Sequence, residues 1–420
     1  MCLALTFAAP SVFAEIAEGT ILSNENIDQL YEQSFDGHQI KDLLTQKMEK
    51  MIREDNLVMR LEKTTEVKFP AEYWQVSQDN QGKAKLAADG RSVEGYNAGI
   101  PFMDVKQNDP LAGWKLEWNH FYANPLVGDS WVAYAGVFIT EDDKGVIDNF
   151  EAMTAKSIME GRTNGEPRIG SAEDHARYLV VITKPYDAKG LGVFNKQYNS
   201  GKADDGWVYI KNLRRSRRVA GGKSWMDPQP KMDLLNDDNQ AILGFPPWFN
   251  DFKLLGRRWI LAVVNAPDPN IEHQSEDYID LETPPYWVPS TESNPWQPRE
   301  VWIVEATPPD EHPYGKKVMY MDVGFPMYYW SEIYDKKGDF WRLWRQSYAP
   351  SKTANGEPTL ALSVTQAIDF QRQRATFIDM KYTFTNWLEQ KWFEPAGLQK
   401  AASGAFQKEL DLIREQYRGN

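Results

Sequence analysis

Two short loops set the limits on what this chain can fold into. Asp142-Asp143-Lys144-Gly145 and Asp335-Lys336-Lys337-Gly338 each border β-rich runs, and each ends on a glycine suited to the positive φ of a tight hairpin turn. Period-two runs of apolar and aromatic residues mark strands over 131–140, 178–183, 207–210, 259–265, 300–306, 317–322 and 340–346. Trp114, Leu116 and Trp118 alternate with Lys115, Glu117 and Asn119 in the same manner, which predicts a further half-buried strand. Strands joined by short turns, with no helix between each pair, make an antiparallel sheet rather than a βαβ fold. Proline-rich stretches at 244–248, 284–285 and 295–309 carry embedded aromatics and read as long loops over that sheet.

Helical periodicity is confined to the ends. Ile40, Leu43, Leu44, Met48, Met51 and Ile52 form one apolar stripe with charged residues opposite, an amphipathic helix that must cover apolar surface and is the candidate lid. Phe406, Leu410, Ile413 and Tyr417 mark a similar stripe near the C-terminus. The expected fold class is mainly β with flanking helices (α+β), built on one large curved antiparallel sheet. The expected organisation is a signal segment at 1–14, a helical segment at 15–55, the β domain at 56–395 and a C-terminal helix at 396–420. Residues 1–14 are uncharged and apolar and close on Val12-Phe13-Ala14, as before a signal peptidase site, and the missing basic start points to an origin several residues upstream. An exported chain without a membrane-spanning helix is the expectation.

Composition removes several functional classes. Sixty Asp and Glu against 47 Lys and Arg leave a net charge of −13, against the basic face a nucleic-acid binder needs. The one cysteine, Cys2, lies in the signal segment, so the exported chain has no thiol, disulfide or Cys-rich metal site. His38, His120, His175, His273 and His312 are scattered, with no H-E-x-x-H, and neither a G-x-S-x-G elbow nor a phosphate-binding glycine loop is present. The acid pairs Asp142/Asp143 and Asp237/Asp238 read as solvated loop charge. No catalytic residue, cofactor or metal is assigned. Sixteen Trp keep a carbohydrate-binding module, or a glycosidase whose carboxylates spacing cannot reveal, as the alternative function.

The most distinctive segment is Trp207-Val-Tyr-Ile-Lys-Asn-Leu-Arg-Arg-Ser-Arg-Arg218. It resembles the W-x-Y-x-P-A-L-R-R-V-[RK]-R strand of periplasmic proteins related to the lipoprotein carriers LolA and LolB. Within that group the chain is similar to a proteobacterial family of domains of unknown function. Further matches are Gly95-Tyr-Asn-Ala-Gly-Ile-Pro-Phe102 with Gly113-Trp114, Asp251-Phe-Lys-Leu-Leu-Gly-Arg257, Arg299-Glu-Val-Trp-Ile-Val-Glu-Ala306, Lys316-Lys-Val-Met-Tyr-Met-Asp322 and Tyr334-Asp-Lys-Lys-Gly-Asp-Phe-Trp341. Lys211, Asn212 and Ser216 replace the proline, alanine and valine of the motif. The resemblance implies a half-barrel whose concave side is covered by helices and can hold an acyl chain. It also implies a periplasmic carrier, associated with the outer membrane, that passes a lipid or other hydrophobic ligand between an inner-membrane exporter of the resistance-nodulation-division class and an outer-membrane protein.

Strand alternation nominates the lining of such a cavity: Trp114, Trp118, Trp131, Tyr209, Trp302, Met319, Met321 and Trp341. Any single one is more simply read as core, and only their aggregate favours a cavity. Each buried methylene is worth about 0.8 kcal/mol, so a long acyl chain offers on the order of 10 kcal/mol before entropic costs. Arg214, Arg215, Arg217 and Arg218 form the one dense basic cluster. Alternation puts Arg215 and Arg217 on one face and Arg214 and Arg218 on the other. They are candidates for a lipid phosphate or carboxylate or an acidic partner, against the plainer reading of surface pairs with Asp204, Asp205 or Asp237.

Overall fold

Both turn glycines take the positive φ their loops require, Gly145 at 70° and Gly338 at 89°, in the computed structural model of the chain. The structure describes residues 15–123, 129–163, 168–223, 225, 232–267, 281, 283–288, 294–353, 355–384, 389–405 and 408. Residues 1–14, expected to be a signal segment, and the stripe of Phe406, Leu410, Ile413 and Tyr417 lie outside the described residues.

The N-terminal part is built of short pieces: β1 (Ile21–Leu22), α1 (Ile27–Leu30), β2 (Ser34–Phe35), β3 (His38–Gln39), α2 (Ile40–Leu43), α3 (Gln46–Glu54) and β4 (Met59–Leu61). α4 (Ala71–Asp79), β5 (Lys85–Leu86), β6 (Val93–Glu94) and α5 (Ala112–Tyr122) follow. A first meander contains β7 (Ser130–Glu141), β8 (Gly145–Ile158), β9 (Asp174–Lys184), β10 (Gly192–Tyr198), β11 (Asp204–Ile210) and β12 (Arg215–Gly222). A second contains β13 (Asp251–Val263), β14 (Pro295–Thr307), β15 (Lys316–Asp322), β16 (Tyr328–Tyr334), β17 (Phe340–Lys352), β18 (Pro358–Asp369) and β19 (Arg374–Phe384), followed by α6 (Pro395–Ala402).

Fifteen strands join in one sheet of order β1-β4-β14-β15-β16-β17-β18-β19-β7-β8-β9-β10-β11-β12, with β13 paired to β14. Every pairing in it is antiparallel except β4 with β14. The sheet is open, since β1 and β12 end the path without meeting. The two meanders are joined by β19 and β7, in register from Arg374 opposite Glu141 to Phe384 opposite Trp131.

Cross-strand register gives the sheet two faces. The front presents Trp302, Met319, Met321, Tyr328 and Trp344 to α5 and to segment 232–249. The back presents Val301, Tyr320, Trp330, Leu343 and Phe377 to the N-terminal pieces. On the first meander the back is covered by α6, whose Leu398 packs with Phe194, Leu179 and Tyr209.

Three expectations are corrected. Residues 114–118 lie in α5, not in a strand. The helix is buried nearly all round, with Glu117 and Asn119 inside as well as Trp114, Leu116 and Trp118, so no polar face was present to reveal a helical period. The stripe from Ile40 to Ile52 runs through two helices rather than one, because Leu44 is extended and Thr45 caps α3 by accepting from the Met48 amide at 3.1 Å. Residues 295–307 form β14 rather than a loop. Pro295 opens the strand, and Pro298 lies outside the 301–306 stretch that pairs with β15, where its missing N–H is not needed.

Candidate functional site

Six of the eight nominated lining residues come together. Trp114, Trp118, Trp302, Met319, Met321 and the partly buried Trp341 join Phe252, Tyr314, Tyr328 and Trp344 in the front core. Three of the indole N–H groups are already used: Trp118 Nε1 donates to the Gly90 carbonyl at 2.8 Å, Trp114 Nε1 to Asp251 at 3.0 Å and Trp341 Nε1 to Asp369 at 3.1 Å. Trp131 stands apart against Tyr382, and Tyr209 lies on the back under α6.

Over this core the segment 232–249 is pinned by buried charge. Lys317 Nζ lies 3.1 Å from Asp237, 3.0 Å from Asp238 and 2.7 Å from the Ala241 carbonyl. Tyr314 donates to Asp238 at 2.7 Å, and Arg342 donates to the Tyr314 hydroxyl at 3.0 Å and to Asp369 at 3.1 Å. Burial opposes the lysine charge, but the two carboxylates outweigh it and hold the ammonium above its usual range. Asp237 and Asp238 are therefore interior ion-pair partners, not solvated loop acids. A turn-like sequence hides this because its partners come from strands some 80 residues away.

The front face of the first meander is different. Ala133, Thr154, Val180, Val193 and Val208 stand directly opposite one another on β7 to β11, ending at Arg217 on β12. Five strand spacings make this row about 24 Å long. Thr154, Val180, Val193 and Val208, with the neighbouring Ile182 and Ile210, are all partly exposed, and among the described residues no helix packs on them. Beside this row runs a second, from Trp131 through Lys156, Tyr178 and Asn195 to Gly206 and Val219.

Polar groups bracket the apolar row. Tyr178 donates to Asn236 at 3.0 Å, and burial pushes its hydroxyl up to about 12. Lys156 has no carboxylate partner among the described residues. It keeps some exposure, yet burial draws its ammonium down to about 8. At the other end Arg215 and Arg217 are exposed on the same face as Val208. Arg218 faces the back, pairs with Asp205 and lies over Trp207. Arg214 has left-handed backbone at φ 50° after the turn Lys211–Leu213, so strand alternation does not govern it. Nothing in a single strand's sequence marks this row, because what distinguishes it is that no helix among the described residues covers it.

The candidate lid residues Ile40, Leu43, Leu44, Met48, Met51 and Ile52 are all buried on the back face, opposite the exposed row. Among the described residues no three His, Cys, Asp or Glu side chains are grouped to hold a metal ion, and no helix is long and apolar enough to cross a membrane.

An open, largely antiparallel sheet with helices on both faces and one apolar stretch left half-covered defines a mainly β protein of the α+β kind. The chain belongs to the family described as Protein of unknown function (DUF1329), which matches residues 22–399. Among solved structures it is similar to a DUF1329 family protein from Desulfovibrio piger, at 19% identity over 69% of this chain and 100% of that one, with a TM-score of 0.47. It is also similar to a LolA superfamily protein from Nitrosomonas europaea, at 14% identity over 63% of this chain and 90% of that one, with a TM-score of 0.38. Membership of a family of unknown function, read from the motifs, is met by that match over residues 22–399. No functionally curated protein matches the chain.

Proposed function

We propose that this protein binds a lipid or other hydrophobic ligand along the front row of the first meander and carries it through the periplasm. The exchange would run between an inner-membrane exporter of the resistance-nodulation-division class and the outer membrane, with no bond made or broken. The observation that carries the reading is the half-exposed row of Thr154, Val180, Val193 and Val208 with its neighbours Ile182 and Ile210, aliphatic surface that water solvates poorly. Cations stand at both ends of it, Lys156 beside one and Arg217 with Arg215 at the other, as an amphiphile's charged group would require. A sugar-binding reading is less well supported, because Trp114, Trp118, Trp131 and Trp302 are buried and offer no stacking shelf.

The test is mass spectrometry of apolar molecules extracted from the native protein, beside Val193→Asp/Val208→Asp. Recovery of lipid from the wild type and its loss from a folded variant is the expected result. Absence of any long apolar molecule, together with no uptake of added fluorescent fatty acid, would defeat the carrier reading.

A further inference from the structure

On the back face, Trp330, Arg345 and Gln366 stand directly opposite one another on β16, β17 and β18. Opposed residues on antiparallel strands hold their β-carbons about 5 Å apart, so the three side chains form one tight row. Their exposures are 1%, 5% and 1%. Arg345 makes no ion pair and no side-chain hydrogen bond among the described residues, and its contact is the Trp296 ring, 5.2 Å away. Trp330 Nε1 and Gln366 Nε2 are also buried without partners. The row therefore gathers three side chains with unused donors and a full positive charge, with no carboxylate among the described residues paired to them.

Burial alone draws the Arg345 guanidinium down to about 10, which marks how poorly its charge is compensated. Lys317 and Arg342, by contrast, are buried cations held against carboxylates. Trp330 and Arg345 of the row line a closed recess together with Met48 of α3, Leu261, Val263 and Trp296. The recess is closed, so an occupant must displace lining side chains, among which Met48 is an unbranched, adaptable thioether.

We infer that Trp330, Arg345 and Gln366 form a buried anion site for the carboxylate or phosphate head of an amphiphile whose tail lies against Met48, Leu261 and Val263. The site is on the opposite face from the front row and stands whether or not that row holds a ligand.

The test titrates the full-length, delipidated protein with palmitate, hexadecanol, hexadecyl phosphate and inorganic phosphate, following tryptophan fluorescence. The anionic amphiphiles should bind at least about tenfold more tightly than hexadecanol, the increment of a hydrogen bond to a charged group. That preference should vanish in Arg345→Met, fall in Gln366→Leu, and survive in the front-row variant Val193→Asp. Arg345→Met should also melt no lower than the wild type, since no partner is orphaned. Equal binding of palmitate and hexadecanol, or a preference unchanged in Arg345→Met and Gln366→Leu, would overturn the site. A lower melting temperature in Arg345→Met would assign the arginine a structural role instead. Inorganic phosphate binding as tightly as hexadecyl phosphate would show a free-anion site and remove the amphiphile.

Discussion

Lys317 Nζ sits 3.1 Å from Asp237 Oδ2 with both side chains wholly buried, so one ion pair ties the strand β15 to the segment that crosses the front core. Removing one partner leaves the other charge stranded. Lys317→Met should lower stability by about 3–5 kcal/mol in urea unfolding. The triple change Lys317→Met/Asp237→Asn/Asp238→Asn should recover part of that loss, because no charge is then left unmatched.

Glu117, buried in α5, accepts from Tyr328 at 2.9 Å. Burial outweighs that bond and raises its carboxyl from 4.5 to about 8. Between those values the unfolded chain releases the proton and the folded chain keeps it, so this group makes stability fall as pH rises from 4.5 towards 8. Glu117→Gln should flatten that part of the decline when denaturation midpoints are compared at pH 5 and pH 8. Asp204, also raised to about 8 by burial, should preserve the remainder.

Gly113 marks where α5 touches β13. A β-carbon there would lie 2.2 Å from the Phe252 carbonyl oxygen. Gly113→Ala should therefore destabilise by about 1–3 kcal/mol in thermal or urea unfolding, despite alanine's better helix propensity.

Arg215 and Arg217 are exposed and make no ion pair among the described residues. Arg215→Ala/Arg217→Ala should change stability by less than about 0.5 kcal/mol. It should weaken binding of an anionic lipid, most clearly at low salt, in a vesicle flotation assay. Binding that stays unchanged would remove these arginines from headgroup recognition.

What the sequence disclosed follows from which forces act locally. The hairpins at Gly145 and Gly338 were legible because positive φ selects glycine, and the basic strand was legible from its motif. β18 was not, since Leu360 to Asp369 is buried on both faces and shows no alternation. The helix α5 misled for the same reason. The candidate lid was recognised as apolar and interior, but which face it covers depends on strand order. The anion row could not be read at all: positions 330, 345 and 366 become neighbours only through the register of β16, β17 and β18.

The seam between β19 and β7 has a consequence for how the chain is made. It pairs Val137 with Ile378, so β7 keeps one edge bare until more than two hundred further residues exist. A chain emerging from its N-terminus can zip β7 to β12 hairpin by hairpin and still expose that apolar edge to any passing strand. Capping it is a long-range step of assembly, and every residue of the second meander must be synthesised before it can happen.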